Sequence, residues 1–184
     1  VFHVFKHGEN AAIKTLDKLI LEETDENIRQ AYSTLHDTYR NYLDFELIGV
    51  NKNFVDTETG QKNVLPSLHQ KIGIYHILKE GRFGIWDGGG TGKTAIGTLA
   101  QPLIEAALRK QGKEFRRALV VCPNVGKKTW RKGLLGKETE RYLEEPQNVI
   151  IIDGDKKDED FLEALDGKKW IVANYEQLTT QVNG

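Results

Sequence analysis

The sequence predicts an α/β fold, a three-layer lobe built on a parallel sheet and preceded by an α-helical hairpin. The first observation is that short apolar runs alternate with helical stretches from residue 67 onwards. The second is that these runs are apolar at successive positions, as strands buried on both faces of a parallel sheet require. The third is that residues 9–47 hold apolar side chains at helical spacing. Alternating strands and helices are typical of a layered α/β domain.

Residues 1–64 are predicted to form a helical N-terminal extension that ends in a connector. Apolar residues recur at helical spacing in two stretches that contain neither Gly nor Pro, which indicates a hairpin of two helices. Thr24 or Asp25 is the candidate cap of the second helix. Residues 49–66 are rich in Gly, Asn, Asp and Thr, which favours a connector with a turn at Thr59-Gly60.

Residues 65–184 are predicted to form the α/β lobe itself. The expected strands are short and apolar, and each is followed by a stretch with helical spacing. The predicted strands cover residues 83–86, 118–122, 149–152 and 170–173, and the predicted helices cover 67–80, 92–111, 125–143 and 157–165.

Composition excludes several classes of protein. The single Cys rules out an intrachain disulfide and a Cys-based zinc site. No apolar run approaches the roughly 18 residues of a membrane-spanning helix. Without a signal peptide pattern, we expect an intracellular protein, in the cytoplasm or nucleoid, or in the nucleus of a eukaryote. Because the chain begins with Val1 and contains no Met, we expect a piece of a longer protein.

The most specific pattern is the run Asp87-Gly88-Gly89-Gly90-Thr91-Gly92-Lys93-Thr94, which follows an apolar run and opens a predicted helix. Glycines let backbone N–H groups approach phosphate oxygens, and the start of a helix favours the same anion. Lys93 can reach the β- and γ-phosphates of ATP, and the Thr94 hydroxyl can ligate Mg²⁺. The general pattern has Gly where this chain has Asp87. An ordinary glycine-rich turn is the alternative interpretation.

With Asp in its first position, this loop resembles the first motif of superfamily-two helicases, and most closely that of Swi/Snf-type DNA translocases and remodelling ATPases. Leu68–Gly73 is similar to the upstream motif of that family, whose glutamine contacts adenine; here that residue is Gln70. Leu119–Pro123 followed by Trp130 is similar to motif Ia.

Two later segments, Val149–Gly154 and Ile171–Glu176, resemble further strands of the same family, in the family's order. The resemblance covers about residues 65–180. It implies that residues 65–184 are the front part of a RecA-like lobe of the P-loop NTPase class, and that this lobe is incomplete. It also implies a parent protein that hydrolyses ATP to move along nucleic acid, most simply duplex DNA.

The resemblance also implies roles for individual residues. Gln70 and the loop residues 88–94 would bind ATP, Lys93 would serve catalysis, and Thr94 would hold Mg²⁺. In the family, the Asp-Glu motif follows the region that ends here at Gly184, and a second RecA-like lobe supplies an arginine. We therefore expect this chain alone to be hydrolytically incompetent.

A basic segment is hidden within the overall charge of −1. Lys127, Lys128, Arg131 and Lys132 follow the predicted strand that ends at Pro123, and ligands approach the carboxyl ends of parallel strands. On a helix these residues form two i,i+4 pairs and so a compact cationic surface. Such a surface suits the phosphate backbone of nucleic acid, whereas an ordinary solvated face is the alternative.

Two other functions stay open. Asp153 follows four apolar residues, as a metal-binding Asp does at a strand end, and could make the chain a self-contained P-loop phosphotransferase. Residues 1–64 could instead serve as a docking or regulatory module for a protein partner, since their acidic balance argues against DNA.

Cys122 is predicted to be a core thiol, and Trp86 to be buried under the glycine-rich loop.

Overall fold

The computed structural model describes residues 9–62, 65–86, 88–152, 154 and 166–179. They form two compact units. One unit contains the described residues up to Glu46 together with Ser67–Ile85, and the other contains Leu47–Pro66 and the described residues from Trp86 onwards. This division differs from the predicted boundary after residue 64, because the connector belongs with the sheet and the helix after Ser67 belongs with the hairpin.

The first unit begins with the two predicted helices. They are α1 (Glu9–Glu22) and α2 (Glu26–Asp44), and they pack against each other. Asp25 is the cap: its carboxylate accepts hydrogen bonds from the backbone N–H groups of Asn27 and Ile28, which would otherwise lack partners at the start of the helix. The predicted pair of helices is confirmed.

The third helix of this unit, α3 (Leu68–Glu80), ends at Gly81 in the left-handed conformation, with φ of 69°. It packs against the end of α2 through aromatic and polar contacts. The rings of Tyr42 and Tyr75 meet edge to face at 5.3 Å between centroids. The ammonium group of Lys71 donates to the carbonyl oxygen of Leu43 at 2.7 Å. These contacts explain why α3 joins the hairpin rather than the sheet.

The second unit contains a three-stranded parallel sheet of β1 (Ala118–Val121), β2 (Val149–Ile151) and β3 (Trp170–Ala173). The order is β1-β3-β2, so β3 pairs with both of the others. Three helices accompany the sheet: α4 (Lys93–Lys110), α5 (Gly126–Leu135) and α6 (Tyr175–Thr179). The prediction of an α/β fold with a parallel sheet is confirmed.

The core of the second unit lies between α5 and the sheet. Cys122, Leu134, Trp170 and Val172 form a buried cluster, and the indole of Trp130 packs against it. Cys122 is therefore a core thiol, as predicted. Side chains on β1 alternate between half-buried and exposed, so this strand is not covered on both faces by described residues, contrary to the prediction.

Two predicted elements differ from the structure. Phe83–Trp86 was expected to be a strand, but within the described part of the chain this run pairs with no neighbour, and a strand exists only through such pairing. The Trp86 side chain is 95% exposed, so the prediction that it lies buried is wrong. Helix α5 ends at Leu135, before the predicted 143, and the predicted helix at 157–165 lies outside the described residues.

The connector packs on the segment that follows α5. The backbone N–H of Asn51 donates to the Tyr142 carbonyl at 3.0 Å, and that of Val55 donates to the Thr139 carbonyl at 2.7 Å. Asn51 is buried, and its amide nitrogen donates to the carbonyls of Glu138 and Arg141. A buried amide with this many partners fixes the path of the connector.

Within the described ranges, no helix combines the length and apolarity needed to cross a membrane.

Candidate functional site

The glycine-rich loop folds into a tight turn at the start of α4. Gly90 and Gly92 have φ of 76° and 79°, a left-handed conformation that side chains disfavour. The Thr91 hydroxyl donates to the carbonyl oxygen of Gly88 at 3.0 Å and closes the turn. Because α4 begins at Lys93, the N–H groups of its first turn lie at the end of this loop. The predicted combination of a glycine-rich turn and a helix start is therefore present in the structure.

Lys93 extends back across the loop. Its ammonium group donates to the carbonyl oxygen of Gly88 at 2.6 Å, and the side chain is exposed. Thr94, the predicted Mg²⁺ ligand, is partly buried in the same turn of α4. Gly88 and Gly89 are exposed, and a Cβ at either would meet nothing within 4 Å. Asp87 lies outside the described residues. The described residues of the predicted loop thus lie in one turn, and the Lys93 ammonium group contacts its Gly88 carbonyl.

The loop opens into a cleft of about 600 Å³ within the second unit. One wall is the loop itself with the start of α4, another is the first turns of α5, and the third is the connector with the segment after α5. The lining side chains and backbone come from Phe54, Val55, Asp56, Thr57, Glu58, Gly90, Thr91, Gly92, Lys93, Thr94, Lys128, Thr129, Lys132, Glu140 and Tyr142.

The connector wall combines an aromatic pair with carboxylates. The rings of Phe54 and Tyr142 lie 5.4 Å apart. Burial raises the pKa of the Tyr142 phenol, and the carboxylates of Asp56 and Glu58 raise it further, so the phenol stays protonated at neutral pH. A hydrogen bond from the backbone N–H of Thr59 lowers the pKa of Asp56 below its ordinary value, so this carboxylate is ionised.

The four cations predicted on one surface of α5 have different environments. Lys128 and Lys132 are exposed and line the cleft. Lys127 is only 6% exposed, and its ammonium group donates to the carbonyl of Ile152 at 2.5 Å. The prediction that Lys127 shares an exposed cationic face is therefore wrong. Arg131 is exposed, but it is not among the described residues that line the cleft.

Gln70 lies in the first unit, at the start of α3. It is buried, and its side-chain oxygen accepts a hydrogen bond from the backbone N–H of Ser67 at 2.9 Å, which completes a capping box. This contact gives Gln70 a structural role. Its role in binding adenine stays a prediction.

No metal site is seen in the described parts of the chain: no three His, Cys, Asp or Glu side chains there form a group able to hold an ion. Asp153, the candidate metal ligand of the phosphotransferase hypothesis, lies outside the described residues.

The sequence did not predict that the connector forms one wall of the cleft. The turn near Thr59-Gly60 is confirmed, with Gly60 at φ of 68° and its N–H donating to the Asp56 carbonyl at 2.7 Å. That turn was the only local signal, and it does not tell which part of the protein the connector packs against.

Comparison with protein-family models, with curated proteins and with solved structures finds no match for this chain.

Proposed function

We propose that residues 65–184 form the ATP-binding part of an ATP-dependent DNA translocase or helicase of the Swi/Snf type, within a RecA-like lobe. The observation that supports this most is the position of Lys93. It begins a helix directly after a left-handed glycine, its ammonium group lies against the loop at Gly88, and Gly90–Thr94 line a cleft. A lysine in that position on a glycine-rich loop is the arrangement that binds nucleotide phosphates.

In this proposal the chain's own groups would bind and orient a triphosphate. Backbone N–H groups at the start of α4 would donate to phosphate oxygens, because the start of a helix favours an anion. The Lys93 ammonium would exchange the Gly88 carbonyl for a phosphate oxygen, which forms a stronger, charge-assisted hydrogen bond. The Thr94 hydroxyl is the residue that would hold Mg²⁺, which when bound neutralises phosphate charge.

Hydrolysis by this chain alone is not expected. The resemblance places the Asp-Glu motif and the arginine of a second RecA-like lobe after the matched region, and both kinds of group are needed to stabilise the transition state. Turnover of ATP by the chain itself, lost in Asp153→Asn, would instead favour the self-contained phosphotransferase.

Nucleic acid is the proposed partner of the whole protein, most simply duplex DNA. The exposed cations of α5, Lys128, Arg131 and Lys132, suit the phosphate backbone, which gives affinity that falls steeply with salt. Lys127 is not proposed to contact nucleic acid, because it is buried and its ammonium group donates to the carbonyl of Ile152.

Isothermal titration calorimetry with Mg²⁺-ATP tests the proposal. We expect saturable binding by the unmodified chain and none in Lys93→Ala. Lys110→Ala is the matched control, because Lys110 is an exposed lysine in the last turn of the same helix and should leave affinity unchanged. Equal affinity in Lys93→Ala and the unmodified chain would overturn the proposed site.

A docking role for the helical extension is a second candidate, and α2 favours it. This helix buries none of its side chains, and Ile28 and Leu35 are 44% and 45% exposed. The two helices of the hairpin also carry exposed carboxylates, including those of Asp17, Glu22 and Asp37. The complementary partner is an amphipathic protein helix with basic flanks.

Fluorescence anisotropy with a synthetic Leu/Lys amphipathic peptide tests this second candidate. We expect the full chain to bind it and Leu35→Glu to weaken binding about tenfold, as loss of an apolar anchor does. Thr34→Glu adds the same charge next to that position and should have little effect. An equal response of the two variants would exclude an apolar docking face.

A further inference from the structure

Two lysines that the sequence grouped with nucleic-acid contacts line the same cleft as the phosphate-binding loop. Lys128 and Lys132 lie one helical turn apart on α5, and both side chains are exposed. Both border the cleft that Gly90–Thr94 also line. The other pair of the same segment differs, since Lys127 is buried and Arg131 is not among the described residues that line the cleft. The four cations of α5 therefore have three different environments: two line the cleft, one is buried, and one is exposed outside the cleft lining.

Close packing of α4 against α5 holds these lysines near the loop. At Gly97, a Cβ atom would lie only 3.1 Å from Cη2 of Trp130, so the glycine permits an approach that other residues would hinder. Gly133 of α5 packs against the Tyr142 ring, where a Cβ would lie 2.5 Å from a ring carbon. Helix α5 thus contacts both α4 and Tyr142 of the connector wall, and these contacts fix where its exposed lysines border the cleft.

The charges around the cleft match those of a nucleoside triphosphate with its divalent cation. Lys93, Lys128 and Lys132 contribute ammonium groups on the side of the two helices. The carboxylates of Asp56 and Glu58 lie on the connector wall. Ammonium groups favour the phosphate oxygens and carboxylates favour a hydrated cation. A cleft with cations and carboxylates on different walls suits a ligand that brings both signs of charge.

We propose that Lys128 and Lys132 bind the terminal phosphates of the nucleotide together with Lys93, so that the cleft selects triphosphates over monophosphates. This inference rests on the proposed function and deepens it. The lysines act as point charges on flexible stems and need no rigid geometry to reach a phosphate oxygen. Each added phosphate group gives them further oxygens to bind, so their contribution grows from AMP to ADP to ATP.

Calorimetric titrations of the full chain with Mg²⁺-ATP, Mg²⁺-ADP and AMP test the proposal. We expect Lys128→Gln and Lys132→Gln each to weaken ATP binding about tenfold, the scale of one hydrogen bond to a charged group. Affinity for AMP should change much less. Arg131→Gln is the matched control, because it removes one positive charge from the same helix outside the cleft lining, and it should leave all three affinities unchanged.

The outcomes separate this inference from the proposed function. If Lys93→Ala abolishes ATP binding while both glutamine variants bind ATP with unchanged affinity, the inference is wrong and the proposed function stands. If the unmodified chain binds no nucleotide, both are wrong. If Arg131→Gln weakens ATP binding as much as the cleft variants do, the loss reflects only the lower positive charge of the chain, and the inference is wrong. If the glutamine variants weaken DNA binding and leave the affinity for ATP unchanged, the two lysines contact nucleic acid alone and the inference is wrong.

Discussion

The ammonium group of Lys127 donates a hydrogen bond to the carbonyl oxygen of Ile152 at 2.5 Å, beneath the surface of the α/β unit. The same group lies 3.0 Å from the side-chain oxygen of Gln177, which also accepts the backbone N–H of Asn174. One lysine thus connects α5 with the residues that follow β2 and β3. A cation in this position stabilises the fold and is not available to a polyanion.

Replacing Lys127 with Met should destabilise the fold. Methionine has a similar length but no donor, so the Ile152 carbonyl would lose a charged partner in a buried position. We expect the free energy of unfolding to fall by about 1–3 kcal/mol, the usual cost of an unsatisfied buried group. Lys128→Met is the control, because Lys128 is exposed, and its effect should stay within about 0.5 kcal/mol. Urea denaturation measures both, and equal stability of the two variants would contradict a structural role for Lys127.

Replacing Asn51 with Ala should release the connector from the rest of its unit. The buried amide nitrogen of Asn51 donates to the Glu138 and Arg141 carbonyls, and its oxygen accepts the N–H of Asn53 at 2.9 Å. Loss of these bonds should lower stability by about 1–3 kcal/mol. The amide of Val55, which donates to Thr139, should then exchange its hydrogen faster.

Asn53→Ala is the matched control for this experiment, because Asn53 lies two residues away and its side chain is exposed. Hydrogen exchange at the Val55 amide should be unchanged in that variant. If Asn51→Ala also leaves exchange at Val55 unchanged, the connector is not held by the Asn51 side chain.

The Cys122 thiol should react slowly with disulfide reagents. Burial raises its pKa above the ordinary value, and the nearby Lys127 ammonium opposes that shift only in part. Because the thiolate is the reactive form, its fraction at pH 8 is smaller in the folded chain than in the unfolded chain. We expect the reaction in buffer to be at least about tenfold slower than in denaturant. Equal rates under the two conditions would mean that the thiol is not buried.

Strands in the second unit were predictable because their signal is local. The apolar runs at Ala118–Val121, Val149–Ile151 and Trp170–Ala173 are strands within one residue of the expected limits. The run at Phe83–Trp86 is equally apolar, yet it is not a strand in the described structure. The difference is physical: a strand requires hydrogen bonds from a neighbour, and the composition of a run does not supply that neighbour.

The site shows the same limit. The loop with Lys93 could be predicted, because glycine, lysine and a helix start are neighbours in sequence. The connector wall could not, because the bonds that hold it join residues far apart, such as Asn51 and Arg141. Nor does the sequence tell Lys127 from Lys128, which stand in the same basic run but differ in burial. Helix spacing gives the faces of α5, whereas only the packed structure tells which face is covered.

The central claim is that the loop from Gly90 to Thr94 binds a nucleotide. The most direct test is to follow backbone amide chemical shifts of the chain by NMR while Mg²⁺-ATP is added. We predict saturable shifts of the amides of Gly90, Thr91, Gly92, Lys93 and Thr94, since those N–H groups would bind the phosphates. Unchanged shifts in that loop at saturating Mg²⁺-ATP, or shifts confined to other parts of the chain, would contradict the account.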